Sequence, residues 1–407
     1  MLPGIIRPLP HEYIGQLATR CWIANTVFTP GTFGFNWRTY HYARDNITWM
    51  QVAWPTGFYG NPGADEAFLS PSPYTASIEY PAGVYHQMTW SGSTVCTNQD
   101  SVVFSDPIRV SIPKGAKFYT KIFQNVTSAS IPLVTPVSGA SENFCDATGG
   151  DIGNASGVDE TMTTMSPDGF DSSGYMVPPM AIVGPTRQPS IAIIGDSRSY
   201  GVNDIPAANV GDTGQVARQL GPYFGYMNLA LSGETASGFA GIGGNQRSYM
   251  TLWCSHVVCA FGINDIYGGA TAAQVESSLL EIYNNVYISN KPIIQQTLQP
   301  ESNSTDSWAT TTNQTTYSIN GVRNSVNTWI RGVPSPLYAI DDICRILEYN
   351  WQTGSGIWNA PNYTQDGIHC SNVSPHDGYA LVAAGKSIIP ARFHNFGGTR
   401  PQQPKSD

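Results

Sequence analysis

The stretch Ile191-Ala192-Ile193-Ile194-Gly195-Asp196-Ser197 constrains the fold of this chain more than any other. A short apolar run of mainly β-branched residues reads as a buried strand, here stopped by a Gly-Asp-Ser turn. Two later segments repeat the pattern of apolar strand and then small or polar turn. They are Met227-Asn228-Leu229-Ala230-Leu231-Ser232-Gly233-Glu234-Thr235 and Val257-Val258-Cys259-Ala260-Phe261-Gly262-Ile263-Asn264-Asp265. Helical spacing predicts helices over about 213–220 (with Asp212 as N-cap), 272–287 and 316–330, and further strands over about 292–297 and 337–340. Strand alternating with helix predicts an α/β domain whose parallel sheet is covered on both faces. Side chains just past the carboxyl end of such a strand sit at the mouth of the ligand crevice, and Ser197 falls there.

Near the C-terminal end comes Asp366-Gly367-Ile368-His369, followed by a predicted helix over about 376–389. Singly, each block has an ordinary reading. Gly-Asp-Ser is common turn chemistry, Gly233 suits any tight turn, Asn264-Asp265 suits a helix cap, and a lone loop histidine is usually just solvated. Together and in this order, the four blocks resemble the SGNH hydrolases, also called GDSL esterases, over roughly residues 190–390. The resemblance implies a flavodoxin-like three-layer α/β/α domain, with Ser197 as nucleophile, His369 as base and Asp366 as its partner. It also implies an oxyanion hole from the backbone N–H groups of Ser197 and Gly233 and the amide of Asn264. It implies no metal or organic cofactor.

The chemistry explains why these residue types are needed. A serine hydroxyl is a poor nucleophile at neutral pH and needs an adjacent base. An imidazole can take that proton and return it to the leaving alcohol, and a carboxylate three residues earlier can fix its tautomer. Ser199 and His376 are rival candidates for nucleophile and base. Their places, two residues past Ser197 and at the start of a predicted helix, suit them less well. The sequence also departs from the family, whose members often carry an aliphatic residue and then Ser or Thr after Gly-Asp-Ser. Here Arg198, Ser199 and Tyr200 follow. Arg198 either lines the pocket rim as a substrate-binding residue or folds back onto an acidic surface group.

Ahead of this domain, from about residue 26 to 135, the pattern is β. Runs at about 47–54, 77–80, 84–90, 101–104, 108–112 and 117–125 are punctuated by Gly, Pro and Asn, as in a β-sandwich or jelly-roll-like domain. The segment 105–115 also resembles a strand-and-turn element ahead of the catalytic core in some carbohydrate-esterase-like SGNH proteins. The expected layout is a β-rich domain over 1–138, an irregular connector over 139–189, the hydrolase domain over 190–395 and a tail over 396–407. A short helix is expected around 11–19. Trp22, Trp37, Trp49, Trp54 and Trp90 either stack on sugar rings or, as is commoner, fill the core.

Only 12 % of residues are charged, while the chain holds 21 Tyr and 10 Trp. That balance suits a secreted or extracellular β-rich protein; a virion-borne or cytoplasmic one is the alternative, and the first residues lack a signal-peptide pattern. The net charge of −9, with no basic cluster, argues against a nucleic-acid partner. No apolar run is long enough for a membrane span. Seven cysteines suggest two pairings, Cys344 with Cys370 and Cys96 with Cys145, against the plainer reading of reduced, buried thiols. The expected activity is hydrolysis of short acyl esters, above all O-acetyl groups on a carbohydrate or polysaccharide. The alternatives are a lipase, arylesterase or thioesterase for longer chains, or a non-catalytic carbohydrate-binding surface protein. Oligomeric state stays open.

Overall fold

A computed structural model describes residues 11–28, 33–55, 57–58, 67–68, 73–97, 102–126, 131–133, 150–167, 176–204, 212–241 and 244–371. The strand ahead of the Gly-Asp-Ser turn, Ser190–Gly195, is buried along its whole length. It lies in a six-stranded sheet in the order Cys21–Trp22, Gly225–Asn228, Ser190–Gly195, His256–Ala260, Ile293–Gln296, Ala339–Asp341. Every neighbouring pair in that sheet is parallel.

Side chains alternate across the sheet, so each face has its own cover. Ile191 and Ile193 pack with Val216, Ala217 and Leu220 of the helix Gln215–Leu220. Ala192 and Ile194 share the other core with Leu279 and Ile282 of Ala272–Tyr283 and with Val326 and Ile330 of Asn320–Arg331. Each Val, Leu or Ile side chain among them contributes roughly 1.5–3 kcal/mol when fully buried. The helix Ala272–Tyr283 starts where Thr271 and Gln274 form a reciprocal capping box. Its Val275, Leu279 and Ile282 recur at helical spacing on the buried face.

Among the described residues, two five-stranded antiparallel sheets form the bulk of the β-rich part, beside two small two-stranded ones. One pairs Tyr13–Gln16 with Ala181–Thr186, that strand with Ile47–Pro55, and Ile47–Pro55 in turn with Val102–Phe104 and Ile108–Ile112. The other runs Ile152–Asn154, Phe33–Tyr42, Lys117–Val126, Tyr74–Glu79, Tyr85–Gln87. Trp37, Met50, Trp54, Ile78 and Ile122 bring both sheets into one apolar core. Trp22, Trp37, Trp54 and Trp90 are all buried, so none offers an open face for a sugar.

Several sequence expectations change. The expected helix at 11–19 is instead the strand Tyr13–Gln16, followed by Cys21–Trp22, which becomes an edge strand of the parallel sheet. The connector at 139–189 holds two strands, Ile152–Asn154 and Ala181–Thr186, and is therefore not wholly irregular. Asp212 does not cap a helix; Gly214 holds that position, and the buried Asp212 carboxylate accepts from the Tyr226 hydroxyl at 2.8 Å. Cys344 and Cys370 are both reduced and buried, each among its own polar neighbours. Cys145, the helix at 376–389, His376 and the tail at 396–407 lie outside the described residues. Among the described residues no helix is long and apolar enough to cross a membrane.

The β-rich core runs on beneath the parallel sheet. Tyr200 and Val202, just past the Gly-Asp-Ser turn, belong to the same apolar cluster as Trp54 and Ile122. The turn is thus clamped from below by the N-terminal sheets.

Candidate active site

Among the five sheet strands from residue 190 onward, the first in sequence lies between the second and the third. Chain connections therefore leave the first strand toward opposite sides, which opens a crevice at its carboxyl end. There Asp196 takes an extended backbone and caps the short helix Ser197–Tyr200. Its carboxylate accepts from the Arg198 N–H at 3.0 Å. The Asp of Gly-Asp-Ser is thus a cap that fixes the pose of Ser197. A Cβ at Gly195 would lie 2.8 Å from Ser199 Oγ, so a larger residue there would push the buried Ser199 side chain aside. Ser199 is fully buried against the strand, which removes it as a rival nucleophile.

The loop carrying Asp366 and His369 comes to Ser197 from 172 residues away. Ser197 Oγ lies 2.8 Å from His369 Nε2, and His369 Nδ1 lies 2.7 Å from Asp366 Oδ2. Asp366 Oδ1 also accepts from the backbone N–H groups of Ile368, at 2.8 Å, and His369, at 2.7 Å. Burial works to raise the Asp366 pKa. The hydrogen bond and charge of His369, with those two N–H groups, more than offset it and hold the carboxyl at about 2. An ionised carboxylate can only accept, so Nδ1 carries the imidazole hydrogen and Nε2 accepts from the Ser197 hydroxyl.

The loop itself is fixed by its backbone. The Ile368 carbonyl accepts from Gln299 Nε2 at 2.7 Å and from Arg198 Nε at 3.4 Å. The Gly367 carbonyl accepts from Trp358 Nε1 at 2.9 Å. Gly367 has φ +77°, and a Cβ there would come within 1.9 Å of the Ser302 carbonyl. Only glycine fits that turn.

Gly233 lies in a turn with φ +79°, closed by the Glu234 N–H donating to the Leu231 carbonyl at 3.3 Å. Asn264 Nδ2 donates to the Glu234 carbonyl at 2.9 Å, which ties the Asn264 side chain to the Gly233 turn. Asp265 joins the same two loops by accepting from the N–H groups of Ala236, at 2.7 Å, and Ser237, at 2.9 Å. Behind the turn, Glu234 pairs with Arg247, both fully buried. The structure thus brings Ser197, His369 and Asp366 into one hydrogen-bonded chain, and joins Gly233 and Asn264 through Glu234.

Arg198 takes a place that neither sequence alternative gave it. Its side chain is turned inward and buried, pairing with Asp196 at 3.4 Å and with Glu301. It is neither a rim residue nor a surface pair. Burial disfavours the charged form of all three groups; the Arg198 charge pulls back on both carboxylates, whose pKa values nonetheless stay raised. Asn203, which the sequence reading passed over, donates to Asp366 Oδ2 at 2.7 Å. Glu301 and Asn203 sit outside the four blocks, and no local pattern marks them.

No family model matches the chain, and no curated protein matches it in sequence. Solved structures do. A GDSL-like lipase from Bacteroides thetaiotaomicron is similar at 15 % identity, over 50 % of this chain and 87 % of that one, with a TM-score of 0.35. A member of the lipolytic protein G-D-S-L family from Veillonella parvula is similar at 17 % identity, over 48 % of this chain and 94 % of that one, with a TM-score of 0.35. A mutant of an acetyl-xylooligosaccharide esterase from Geobacillus is similar at 16 % identity, over 52 % of this chain and 96 % of that one, with a TM-score of 0.35. At such identities and TM-scores, the case for what this chain does stands on its own side chains.

Proposed function

We propose that this protein is a serine esterase of the SGNH type. The observation that carries the reading is the chain of short contacts from Ser197 Oγ through His369 to Asp366. As the Ser197 hydroxyl attacks an ester carbonyl, His369 Nε2 takes its proton. Asp366 holds the imidazolium that forms. The negative charge that develops on the carbonyl oxygen falls to the N–H groups of Ser197 and Gly233 and to the Asn264 amide. One N–H of that amide is held by the Glu234 carbonyl, which fixes the direction of the other. Collapse of the tetrahedral intermediate breaks the ester C–O bond, with His369 returning the proton to the leaving alcohol. Water then repeats the sequence on the acyl-enzyme and frees Ser197. No metal or cofactor is needed for these steps.

For the substrate, we favour short acyl groups on a carbohydrate. Tyr267 closes the short helix that carries Asn264, is 44 % exposed, and meets Tyr317 edge-on with centroids 6.2 Å apart. A part-exposed tyrosine on the helix that carries Asn264 suits a sugar ring better than a long acyl chain, which needs an apolar channel. Hydrolysis of p-nitrophenyl esters from acetate to octanoate, with Ser197→Ala as control, tests this. Preference for acetate, lost in Ser197→Ala, is expected. A maximum at longer chains would move the assignment to a lipase or thioesterase, and full activity in Ser197→Ala would remove Ser197 as the nucleophile.

A further inference from the structure

Asn203 lies outside the four blocks, yet it touches the triad. The helix that begins with Ser197 ends after one turn. Gly201, at φ +104°, reverses the chain, and the N–H groups of Gly201 and Val202 both return to the Ser197 carbonyl at 2.9 Å. Asn203 follows with φ +63°, a left-handed backbone that asparagine tolerates better than most residues. This reversal aims its amide at the Asp366 carboxylate, and Nδ2 donates to Oδ2 at 2.7 Å. That is the same oxygen that receives His369 Nδ1. Two donors thus share one oxygen, while Oδ1 holds the backbone of the His loop.

We infer that Asn203 is a positioning residue for the triad, a fourth member that ties the acid's loop to the nucleophile's loop and shares the Asp366 charge with the imidazole. The inference rests on the serine-esterase reading. Its logic is electrostatic as well as geometric. An amide donating to Oδ2 drains part of the negative charge that would otherwise act on His369. Without it, Asp366 holds the imidazolium more strongly, so the acid limb of the reaction moves to higher pH. It also loses one of the contacts that set its rotation, so the plateau rate falls. The other charged or titratable groups facing this pair are Asp196 and Arg198 from the nucleophile turn, Glu301 behind Arg198, and Tyr317 across the site. None of them is altered in the test.

Two variants separate this role from a merely structural one. Asn203→Gly keeps the left-handed backbone without strain, and Asn203→Asp keeps the shape but removes the donor. The readout is the rate of labelling by a fluorophosphonate from pH 4 to 9, which needs no knowledge of the natural substrate, with Ser197→Ala as control. Both variants should label Ser197 with a plateau lowered about tenfold, the order of one charge-assisted hydrogen bond. The acid limb should move up by about half a unit in Asn203→Gly and by more in Asn203→Asp, where a second carboxylate faces the first. Thermal unfolding of Asn203→Gly should stay a single cooperative transition, lowered by a few degrees at most, which shows that the variant folds. Labelling with an unchanged acid limb, in either variant, would overturn the role assigned to Asn203 and leave the esterase reading standing. No labelling of the wild type would overturn both.

Discussion

Replacing Glu234 tests whether the Gly233 turn is held from behind by a buried charge pair. Both Glu234 and Arg247 are 0 % exposed. Arg247 grips both carboxylate oxygens, with one bond at 2.5 Å to Oε2, and also donates to the Leu229 carbonyl at 3.3 Å. Glu234→Gln keeps the side chain's length but leaves a desolvated guanidinium without its counter-charge. Breaking a buried pair this way costs about 3–5 kcal/mol, a large part of the roughly 5–15 kcal/mol that holds a domain folded. The glutamine oxygen keeps one acceptor, so the loss should fall near 3 kcal/mol. The damage should also reach the chemistry. The Glu234 carbonyl holds Asn264, and Glu234 is the next residue after Gly233. A turn loosened by a fraction of an ångström should lower kcat about 10- to 100-fold with little change in KM. Urea unfolding followed by tryptophan fluorescence gives the first number, and steady-state ester hydrolysis gives the second. Pairing Glu234→Leu with Arg247→Met should recover at least half of the lost stability, because an apolar pair leaves no orphaned charge. A single substitution costing under about 1 kcal/mol with unchanged kcat, or a double variant whose losses simply add, would refute the reasoning.

Asn264→Ala should lower kcat about 100- to 1000-fold at nearly constant KM, the loss expected for one oxyanion donor, as read by ester hydrolysis. Arg198→Ala leaves Asp196 and Glu301 buried without a cation and frees the Ile368 carbonyl from one donor. It should destabilise the protein by about 3 kcal/mol or more in urea unfolding. Asp341 is buried, and burial outweighs its hydrogen bonds from Gln296 and Gln219, pushing its pKa up from 3.8 to about 6. A raised pKa contributes stability that is full below about 3.8 and lost as pH rises through about 6. Asp341→Asn should therefore gain on the wild type across that window, by at most about 3 kcal/mol at neutral pH, as read from melting curves at a series of pH values. Alkylation of the unfolded, unreduced protein should label both Cys344 and Cys370, and a mass showing them joined would contradict the structure.

The sequence made the parallel sheet legible because its signals are local. Each strand is a short apolar run that ends in a turn carrying a chemical group, and burial on both faces leaves little room for polar residues. The candidate triad and the oxyanion candidates could be proposed for the same reason. What stayed hidden depends on contacts distant in sequence. The two-residue strand Cys21–Trp22 has no periodicity to read; it exists because the edge of Gly225–Asn228 accepts it. Ala181–Thr186 carries a glycine and a proline, which read as loop, but Gly184 lies against Trp49 backbone and Pro185 faces the edge strand Tyr13–Gln16. Arg198 read as a surface or rim residue because its partner Glu301 lies 103 residues away. Asn203 was missed because its value depends on where Asp366 lands, and no pattern within the Ser197 turn announces that.

The most direct test of the central claim is to treat the wild-type protein with a fluorophosphonate and map the adduct by peptide mass spectrometry. The structure predicts one adduct, on Ser197, formed quickly in the wild type and lost or greatly slowed in His369→Ala. An adduct on another serine, or none under conditions that label a known serine hydrolase, would contradict it.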